Sequence, residues 1–330
     1  MGQAEFRWDT LHQAWVIIAG DRGDRPNEFA ASIAELQSSD YPFCAGNESQ
    51  TPPAIATYPE GADDWKIRVI PNKYPAVSPS DAPLTSADRM SRDWQNNPAV
   101  GRHEIIVESP EHLTSLTELS EEQVQLALCV YRDRLAEARD DQQMFYRLLF
   151  KNTGASAGAS IAHTHAQLIA LPMIPLAAMQ RRIAMQAYAQ EHLRCLMCDE
   201  AVKEQASSRH ILSNDAFVAF CPYASRFPGE IRIVPFAHET QMADYSDEQL
   251  LALGPLLIDV LRRVEKGFPG VGYNLMIHSN GYDEPTPHAH WYLEIVPRLA
   301  NLAGYELGSG GYINPMTPED AAATLRSATS

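Results

Sequence analysis

The stretch NTGASAGASIAHTHAQ, residues 152–167, decides more about the fold of this chain than any other segment. Its first nine residues are small, neutral and rich in glycine, so their backbone N–H groups and serine hydroxyls are suited to surround a phosphate. The following residues, AHTHAQLIALP, have the pattern of a strand. Because residues i and i+2 of a strand point to the same face, we expect His163, His165 and Gln167 to form one row.

An imidazole placed on such a strand has two possible uses. With an ordinary pKa near 6.5 it is largely neutral at pH 7, and in line with a phosphorus atom it is a nucleophile that needs no additional base. The alternative is a pair of core or metal-binding histidines, which is the more common meaning of an isolated His-x-His. The glycine-rich loop and Gln167 favour phosphoryl chemistry, because an amide can donate one hydrogen bond while it accepts another.

The same order of features occurs twice along the chain. An apolar strand pattern, a His and a helix start with the letters SEEQ or SDEQ occur at 103–128 and again at 230–253. Both helix starts have the pattern of a capping box. A His-x-His follows in each copy, at His163 and, 125 residues later, at His288. We therefore predict a duplicated α+β fold of two tandem units, over residues 1–185 and 186–330.

The two copies differ in the loop that precedes the His pair. The loop of the second copy, NGYDEPTP at 280–287, is acidic and contains two prolines, which lack N–H donors. Such a loop would repel a phosphate, whereas the loop at 152–160 would accept one. We therefore assign phosphoryl chemistry to the first copy.

The overall composition narrows the class of partner. The chain has 330 residues and a formal net charge of −16, so we expect neither nucleic acid nor an anionic membrane as a partner. No apolar run approaches the roughly 20 residues of a spanning helix, and the N-terminus lacks a signal-peptide core, so we expect a cytoplasmic protein. The odd count of five cysteines indicates thiols and metal ligands rather than a disulfide framework.

Cysteines and histidines at related positions of the repeat predict two metal clusters. Two thiolates and two imidazoles make a tetrahedral zinc set, and the second unit offers Cys195, Cys198, His238 and His288. The first unit offers only Cys44, His112 and His163, because Tyr41 stands where a second Cys would be needed. The alternatives are two buried thiols in the second unit and a hydrogen-bonded core cluster in the first. We expect any zinc to stabilise the fold and to take no part in the chemistry.

The segment 152–167 resembles the active-site segment of the galactose-1-phosphate uridylyltransferases, in the histidine-triad superfamily. That pattern is Asn-x-Gly-x-x-x-Gly-x-Ser-x-x-His-x-His-x-Gln, and every fixed position is present. The resemblance runs nearly end to end. It includes the segments WVIIAGDRGDRPNEF (15–29), YPFCAGNESQTPP, VIPNKYPAV (69–77), HAHWYLEIVPR and GYELGSGGYIN (304–314).

The resemblance implies two tandem histidine-triad-like units, each an antiparallel sheet with packed helices, and a ping-pong nucleotidyltransferase. In that cycle His165 attacks the α-phosphate of a nucleotide-sugar, a sugar 1-phosphate leaves, and an acceptor phosphate removes the nucleotide. The implied catalytic residues are His165, Gln167 and Ser160; the nucleotide- and phosphate-binding residues are Arg22, Arg25, Asn72, Asn152 and Gly158; the sugar-binding residues are Tyr305 and Glu306. Lys73 and Lys151 are further candidates for neutralising phosphate.

The acceptor and the base are the open questions. The family implies a UDP-glucose–hexose-1-phosphate uridylyltransferase of galactose metabolism. The tail at 304–314 instead follows the Phe-Glu-Leu-Gly-Thr-Gly-x-Tyr-Ile-Asn form of the ADP-glucose phosphorylases, in which phosphate is the acceptor. A histidine-triad hydrolase and a nucleotide-binding zinc scaffold are further alternatives, although a scaffold has no need of the full loop. The family also implies a homodimer that shares its sugar site.

Overall fold

The computed structural model describes residues 5–18, 41–61, 64–80, 99–279 and 288–329. Two sheets and a set of helices make up this part of the chain. The strands are β1 (Glu5–Asp9), β2 (Ala14–Ile18), β3 (Ala56–Tyr58), β4 (Ile67–Pro71), β5 (Arg102–Val107), β6 (Tyr146–Thr153), β7 (His165–Leu171), β8 (His210–Ser213), β9 (Phe217–Phe220), β10 (Ile231–Pro235), β11 (Tyr273–His278), β12 (Tyr292–Pro297) and β13 (Tyr312–Asn314). The helices are α1 (Glu121–Asp140), α2 (Leu176–His192), α3 (Leu196–Gln205), α4 (Asp247–Leu251), α5 (Leu253–Gly267), α6 (Gly304–Ser309) and α7 (Pro318–Ser327).

The larger sheet has ten antiparallel strands in the order β3-β4-β5-β7-β6-β11-β12-β10-β9-β8. The first five strands of this order precede residue 172 and the last five follow it, so the order of the second half mirrors that of the first. The α+β class and the antiparallel sheets are confirmed. The halves meet through the pairing of β6 with β11, in which Asn152 lies opposite Asn274. The predicted boundary between residues 185 and 186 falls inside α2 and stays a prediction.

The spacing between equivalent strands of the two halves differs from the spacing that the sequence repeat predicted. Strand β7 begins at His165 and β12 begins at Tyr292, a spacing of 127 residues rather than 125. Tyr292 is therefore the counterpart of His165, and His290 is the counterpart of His163. The two His-x-His patterns look equivalent as letters, but the second lies two residues earlier relative to its strand.

Side chains along each strand of the larger sheet point alternately to its two faces, which pack against different groups of residues. On one face of the sheet, Ile106, Leu149 and Leu168 belong to the main apolar core, which also includes side chains of α1 and α5. On the other face, Ile105 and Val107 pack in a small cluster with aromatic residues of the first half. In the pairing of β5 with β7, Gln167 lies opposite Ile105 and His165 lies opposite Val107. His165 and Gln167 are therefore on the same face of the sheet as the small cluster.

The two predicted capping boxes have different outcomes. The box at Ser246 is complete, because Ser246 and Gln249 each bond the backbone of the other. At the start of α1, Ser120 accepts from the N–H of Gln123, but the Gln123 amide donates to Glu108 O and Lys66 O instead. The first box is therefore half formed, since a tertiary contact uses the second partner.

The smaller sheet joins the two ends of the described chain. Its order is β1-β2-β13, and β13 runs parallel to β2. The tail segment 304–314 thus packs beside the N-terminal hairpin and away from β7. Among the described residues, no helix combines the length and the apolar character that crossing a membrane requires.

Candidate active site

The glycine-rich loop between β6 and β7 is a compact turn with two left-handed positions. Gly154 has φ +80° and Gly158 has φ +84°, a region that side chains rarely adopt. The N–H groups of Ala157 and Ala159 bond to Gly154 O, and that of Gly158 bonds to Ala155 O. The sequence predicted that the N–H groups of this loop surround a phosphate. These three donors are instead used inside the turn, so the loop cannot offer them to a phosphate.

The imidazole of His165 is oriented by its own backbone. Its Nδ1 lies 2.7 Å from the carbonyl oxygen of His163, which only accepts, so Nδ1 carries the proton. Nε2 is therefore the nitrogen with a lone pair available for attack. The side chain is 5% exposed, and burial together with the charge of Lys151 lowers its pKa. A neutral imidazole at pH 7 follows from that direction.

A histidine that the sequence did not single out holds Gln167. The backbone N–H of Ala76 donates to His103 Nδ1 at 3.1 Å, so the His103 proton is on Nε2. That Nε2–H donates to Gln167 Oε1 at 3.0 Å. The carbonyl oxygen of Gln167 is thereby engaged, and its NH₂ group is the part left to donate. Asn72 lies beside these hydrogen bonds, with its Nδ2 at 3.2 Å from His103 Nε2. Only the pairing of β5 with β7 could have revealed His103.

Asn152 is held from the other half of the molecule. Asn274 Nδ2 donates to Asn152 Oδ1 at 2.8 Å and to Ala157 O at 2.9 Å. The second half therefore fixes both the predicted phosphate-binding amide and the loop beside it. A cavity of about 350 Å³ opens next to these two asparagines. Its lining includes three arginines and one carboxylate: Arg181, Arg226, Arg298 and Glu294.

The remaining predicted binding residues have different positions. Ser160 and Gly158 are exposed on the loop. Tyr305 is 42% exposed in α6, and Glu306 caps its own helix by accepting from Ala303 N–H at 2.9 Å. Within the described chain, no hydrogen bond or ring contact joins this tail to the neighbourhood of His165. Arg22 and Arg25 lie outside the described residues.

The two lysines have unlike surroundings. Lys73 is exposed and donates to Gln50 O at 3.2 Å. Lys151 is 1% exposed and pairs with Glu108 on the helix side of the sheet, where no phosphate could reach it. The prediction that Lys151 neutralises phosphate is wrong, because its ammonium group is buried and paired with Glu108, on the face of the sheet opposite to Asn152.

The candidate metal cluster of the second half contains His290 and not His288. The ligand atoms of Cys195, Cys198, His238 and His290 all lie within 4.8 Å of one another. The predicted ligand His288 is exposed, because it precedes β12 by four residues, whereas the buried His290 precedes it by two, as His163 precedes β7. This correction follows from the 127-residue spacing.

The chemistry of this donor set fits a tetrahedral zinc ion. Cys195 caps the N-terminus of α3, and Cys198 lies one turn further on. Hydrogen bonding from Cys198, and then from His290, lowers the pKa of the Cys195 thiol. A thiolate is thus favoured even before a metal is considered, which is what a metal ligand requires.

The cluster of the first half has three donors. Cys44 Sγ lies 3.8 Å from His112 Nδ1 and 3.5 Å from His163 Nδ1. His163 Nε2–H donates to Ser109 O at 2.9 Å, so the Nδ1 lone pair faces the thiol. The Tyr41 ring stacks on His112 with 4.2 Å between ring centroids. The position at which the sequence lacks a second Cys is thus occupied by an aromatic ring that packs on one member of the cluster.

Comparisons with known proteins show the family of this chain. A family model described as galactose-1-phosphate uridyl transferase, N-terminal domain, matches residues 2–175, and one described as a domain of unknown function, DUF4921, matches residues 103–328. An ADP-glucose phosphorylase of Arabidopsis thaliana is 33% identical over 98% of this chain and 92% of that protein. A galactose-1-phosphate uridylyltransferase of Thermotoga maritima is 24% identical over 98% of each chain.

Solved structures show the same fold. The crystal structure of an Arabidopsis thaliana ADP-glucose phosphorylase with bound ADP-glucose superposes with a TM-score of 0.85, at 32% identity and with 98% of each chain covered. A uridylyltransferase structure gives a TM-score of 0.76 at 24% identity, with 99% of this chain and 98% of that chain covered. From its His-x-His site, its duplicated sheet and these matches over nearly its full length, this chain belongs to the galactose-1-phosphate uridylyltransferase family.

Proposed function

We propose that this protein transfers a nucleoside monophosphate from a nucleotide-sugar to a phosphate acceptor through a covalent intermediate on His165. The observation that carries the proposal is the orientation of the imidazole. Its Nδ1–H is committed to the His163 carbonyl at 2.7 Å, so the lone pair of Nε2 is the nucleophile. Family membership and the full Asn-to-Gln motif support the same reaction class.

The reaction has two displacements at one phosphorus atom. In the first, Nε2 of His165 forms a bond to the α-phosphorus, and the bond from phosphorus to the bridging oxygen breaks. The sugar 1-phosphate leaves with that electron pair, and the imidazole gains a positive charge that the His163 carbonyl stabilises through Nδ1–H. In the second, an acceptor phosphate oxygen attacks the same phosphorus and the N–P bond breaks. The Gln167 NH₂ group donates to the phosphate oxygens in both steps, because its carbonyl is held by His103.

We favour an adenine nucleotide-sugar such as ADP-glucose as the donor and inorganic phosphate as the acceptor. The ADP-glucose phosphorylase is 33% identical to this chain, the uridylyltransferase of Thermotoga 24%. The tail at 304–314 also follows the phosphorylase form. UDP-glucose with a hexose 1-phosphate acceptor is the second candidate, supported by the family model. The arginine-lined cavity beside Asn152 suits the anionic acceptor in either case, in a chain whose net charge is −16.

We further propose a structural zinc at the cluster of Cys195, Cys198, His238 and His290, a homodimer and a cytoplasmic location. The zinc would join the start of α3 to the loop after β10 and to the start of β12, at a distance from the reacting phosphorus. The dimer would give the tail a role, because no hydrogen bond or ring contact among the described residues joins Tyr305 or Glu306 to the neighbourhood of His165, and the two residues would complete the site of the partner. Arg22 and Arg25 remain the proposed phosphate-binding arginines, and Ser160 and Asn72 remain the proposed polar partners of the substrate.

The test is the intact mass of the protein after brief exposure to ADP-glucose or, separately, to UDP-glucose, without acceptor. We expect an increment of one nucleoside monophosphate on the wild type and none on His165→Gly, which lacks the nucleophile. The mass of the increment identifies the base. Adding inorganic phosphate or galactose 1-phosphate to the loaded protein then identifies the acceptor, because only the true acceptor removes the increment.

Two results would contradict the proposal. Absence of the increment with both sugars intact would mean that neither is a donor and would favour a binding role. Consumption of the nucleotide-sugar without acceptor and without any trapped increment would point to hydrolysis, with water as the acceptor.

A further inference from the structure

Lys151 and Glu108 form an ion pair directly behind the strand that carries His165. Their side chains are 1% and 0% exposed, and Lys151 Nζ lies 2.6 Å from Glu108 Oε2. Neither belongs to the motif that marks the active site, and neither faces the substrate. A buried ion pair contributes little net stability, because the desolvation of both charges offsets their attraction. Its position next to the nucleophile therefore calls for another explanation.

All three donors of the Lys151 ammonium group have partners. Besides Glu108, Nζ donates to Thr164 Oγ1 at 2.8 Å and to the carbonyl oxygen of His165 at 3.1 Å. The Glu108 carboxylate in turn accepts from the hydroxyl groups of Thr164 and Tyr131. Such a closed network leaves no buried polar group unpaired, and a network of this kind holds its members in one arrangement.

This network holds the backbone on both sides of the nucleophile. The N–H of Thr164 donates to Leu113 O at 2.6 Å, and its carbonyl accepts from the N–H of Glu108 at 3.3 Å. The next carbonyl along the chain, that of His165, is the one that Lys151 holds. The side chain and the backbone of Thr164 thus both bond to Glu108. Thr164 lies between His163 and His165, whose side chains point to the opposite side.

We infer that Lys151, Glu108 and Thr164 are positioning residues for His165. By fixing the peptide groups before and after the ring, they keep Nε2 in line with the α-phosphorus while the N–P bond forms and breaks. A misplacement of the attacking atom by about 1 Å can cost on the order of 10²-fold in rate. This inference rests on the proposed function, because it concerns the same nucleophile.

The protein offers a matched control in a second buried ion pair. Arg134 of α1 and Glu104 of β5 are 1% and 4% exposed, and Arg134 Nε lies 2.9 Å from Glu104 Oε2. This pair joins the same strand and helix layer, since Glu108 directly follows β5 and its partner Tyr131 is in α1. Among the described residues, the Arg134–Glu104 pair makes no hydrogen bond to the segment 163–165. Its removal should therefore lower the stability as the loss of a buried ion pair does, without changing the position of His165.

The experiment compares Lys151→Met/Glu108→Gln with Arg134→Met/Glu104→Gln, each of which removes both charges of one pair. Circular dichroism and thermal unfolding establish that both fold. The rate of nucleotidylation at saturating nucleotide-sugar is then measured by quenched-flow mass spectrometry, and the Kd for the nucleotide-sugar is measured on the same variants carrying His165→Gly. For the Lys151–Glu108 variant we expect a rate lower by about tenfold or more, with Kd changed by less than about twofold. For the control we expect both quantities to stay within about twofold.

A second comparison covers the case in which the double variant does not fold. Thr164→Ser retains the hydroxyl that joins Lys151 to Glu108, whereas the isosteric Thr164→Val removes it. We expect Thr164→Ser to be nucleotidylated faster than Thr164→Val, with similar Kd values.

Equal slowing by the two ion-pair variants would overturn the inference, as would a wild-type rate in Lys151→Met/Glu108→Gln or an effect confined to Kd. If the wild type is not nucleotidylated at all, the proposed function itself fails. If the wild type and the Lys151 variant are nucleotidylated equally fast, only the positioning role fails.

Discussion

At the residue scale, the role of each histidine is decided by which ring nitrogen is already engaged. His165 uses Nδ1 for the His163 carbonyl and presents Nε2, whereas His163 uses Nε2 for Ser109 O and presents Nδ1 to Cys44. The two residues are two positions apart and chemically identical. The ring of His165, the proposed nucleophile, thus presents Nε2, whereas the ring of His163 presents Nδ1 to the cluster with Cys44, because their hydrogen-bond partners differ.

His278 in the second half shows the same control over protonation. Arg181 donates to His278 Nδ1 at 3.3 Å, and His278 Nε2–H donates to Glu294 at 3.1 Å, an arrangement that only a neutral ring can make. Burial, followed by the charge of Arg181, lowers the pKa of His278 to about 4, against the opposing effect of Glu294. Tyr292 packs against the ring on the remaining side.

We expect His278 to destabilise the fold in acid. Its pKa is lower in the folded state than the ordinary 6.5, so the unfolded chain binds the proton more tightly. The stabilisation is complete above pH 6.5 and decreases as the pH falls toward 4, with a slope of up to about 1.4 kcal/mol per pH unit. Urea unfolding between pH 7 and pH 4 should therefore show a shallower slope for His278→Gln than for the wild type. The exposed His192→Gln is the control, and an unchanged slope in His278→Gln would show that the ring is already protonated in the folded state.

At the scale of elements, the active-site loop depends on a close approach between the halves. Gly154 of the loop packs against Gly272 at the start of β11, and Gly272 N–H donates to Ser156 Oγ at 3.0 Å. A Cβ on Gly272 would collide with the carbonyl oxygen of Thr153 and lie 2.8 Å from Ser156 Oγ. The conformation of the loop is thus fixed by a residue about 120 positions further along the chain.

Gly272→Ala should therefore slow nucleotidylation. The added methyl group displaces the backbone of residues 153–156, with a stability cost of about 1–3 kcal/mol and a rate loss of about tenfold or more. Gly254→Ala is the control, because a Cβ there meets only ordinary contacts, the nearest at 3.6 Å, near the start of α5. It should stabilise the protein by up to about 1 kcal/mol with an unchanged rate. Wild-type nucleotidylation of Gly272→Ala would mean that the loop tolerates displacement.

At the scale of the whole molecule, the two halves share one sheet and differ in chemistry. The place of His165 is taken in the second half by Tyr292, which is fully buried beneath a small apolar cluster that includes residues of α2 and α3. The second half therefore has no nucleophile at the equivalent position. It contributes Asn274 and Gly272 to the site of the first half, and it carries the candidate metal cluster with four donors.

We expect about one zinc ion per chain and a single unfolding transition. Cys198→Ser should lose the metal and lower the melting temperature of the entire chain, because the pairing of β6 with β11 makes the sheet continuous across both halves. Cys129→Ser, outside either cluster, is the control. Elemental analysis and calorimetry provide the measurements. Two zinc ions per chain would show that the cluster beside Tyr41 binds metal after all, and two separate transitions would show that the halves fold independently.

The sequence by itself determined the α+β duplication and the family, and it predicted the nucleophile, because these depend on local letters and their order. His165 was identifiable since a glycine-rich loop, a strand pattern and Gln167 are consecutive in the chain. His288 was misassigned because the two His-x-His patterns look identical in the sequence. Only the start of each strand shows that the second pattern lies two residues earlier relative to its strand.

Tertiary structure alone decided which side chains meet across strands. His103 reaches Gln167, Asn274 reaches Asn152, and Lys151 reaches the carbonyl of His165 only because β5, β7, β6 and β11 are adjacent in the sheet. Alternation along a strand shows which residues share a face, but sheet order and register determine their neighbours. The motif therefore predicted the reacting residue, and long-range pairing specified which side chains and backbone groups lie around it.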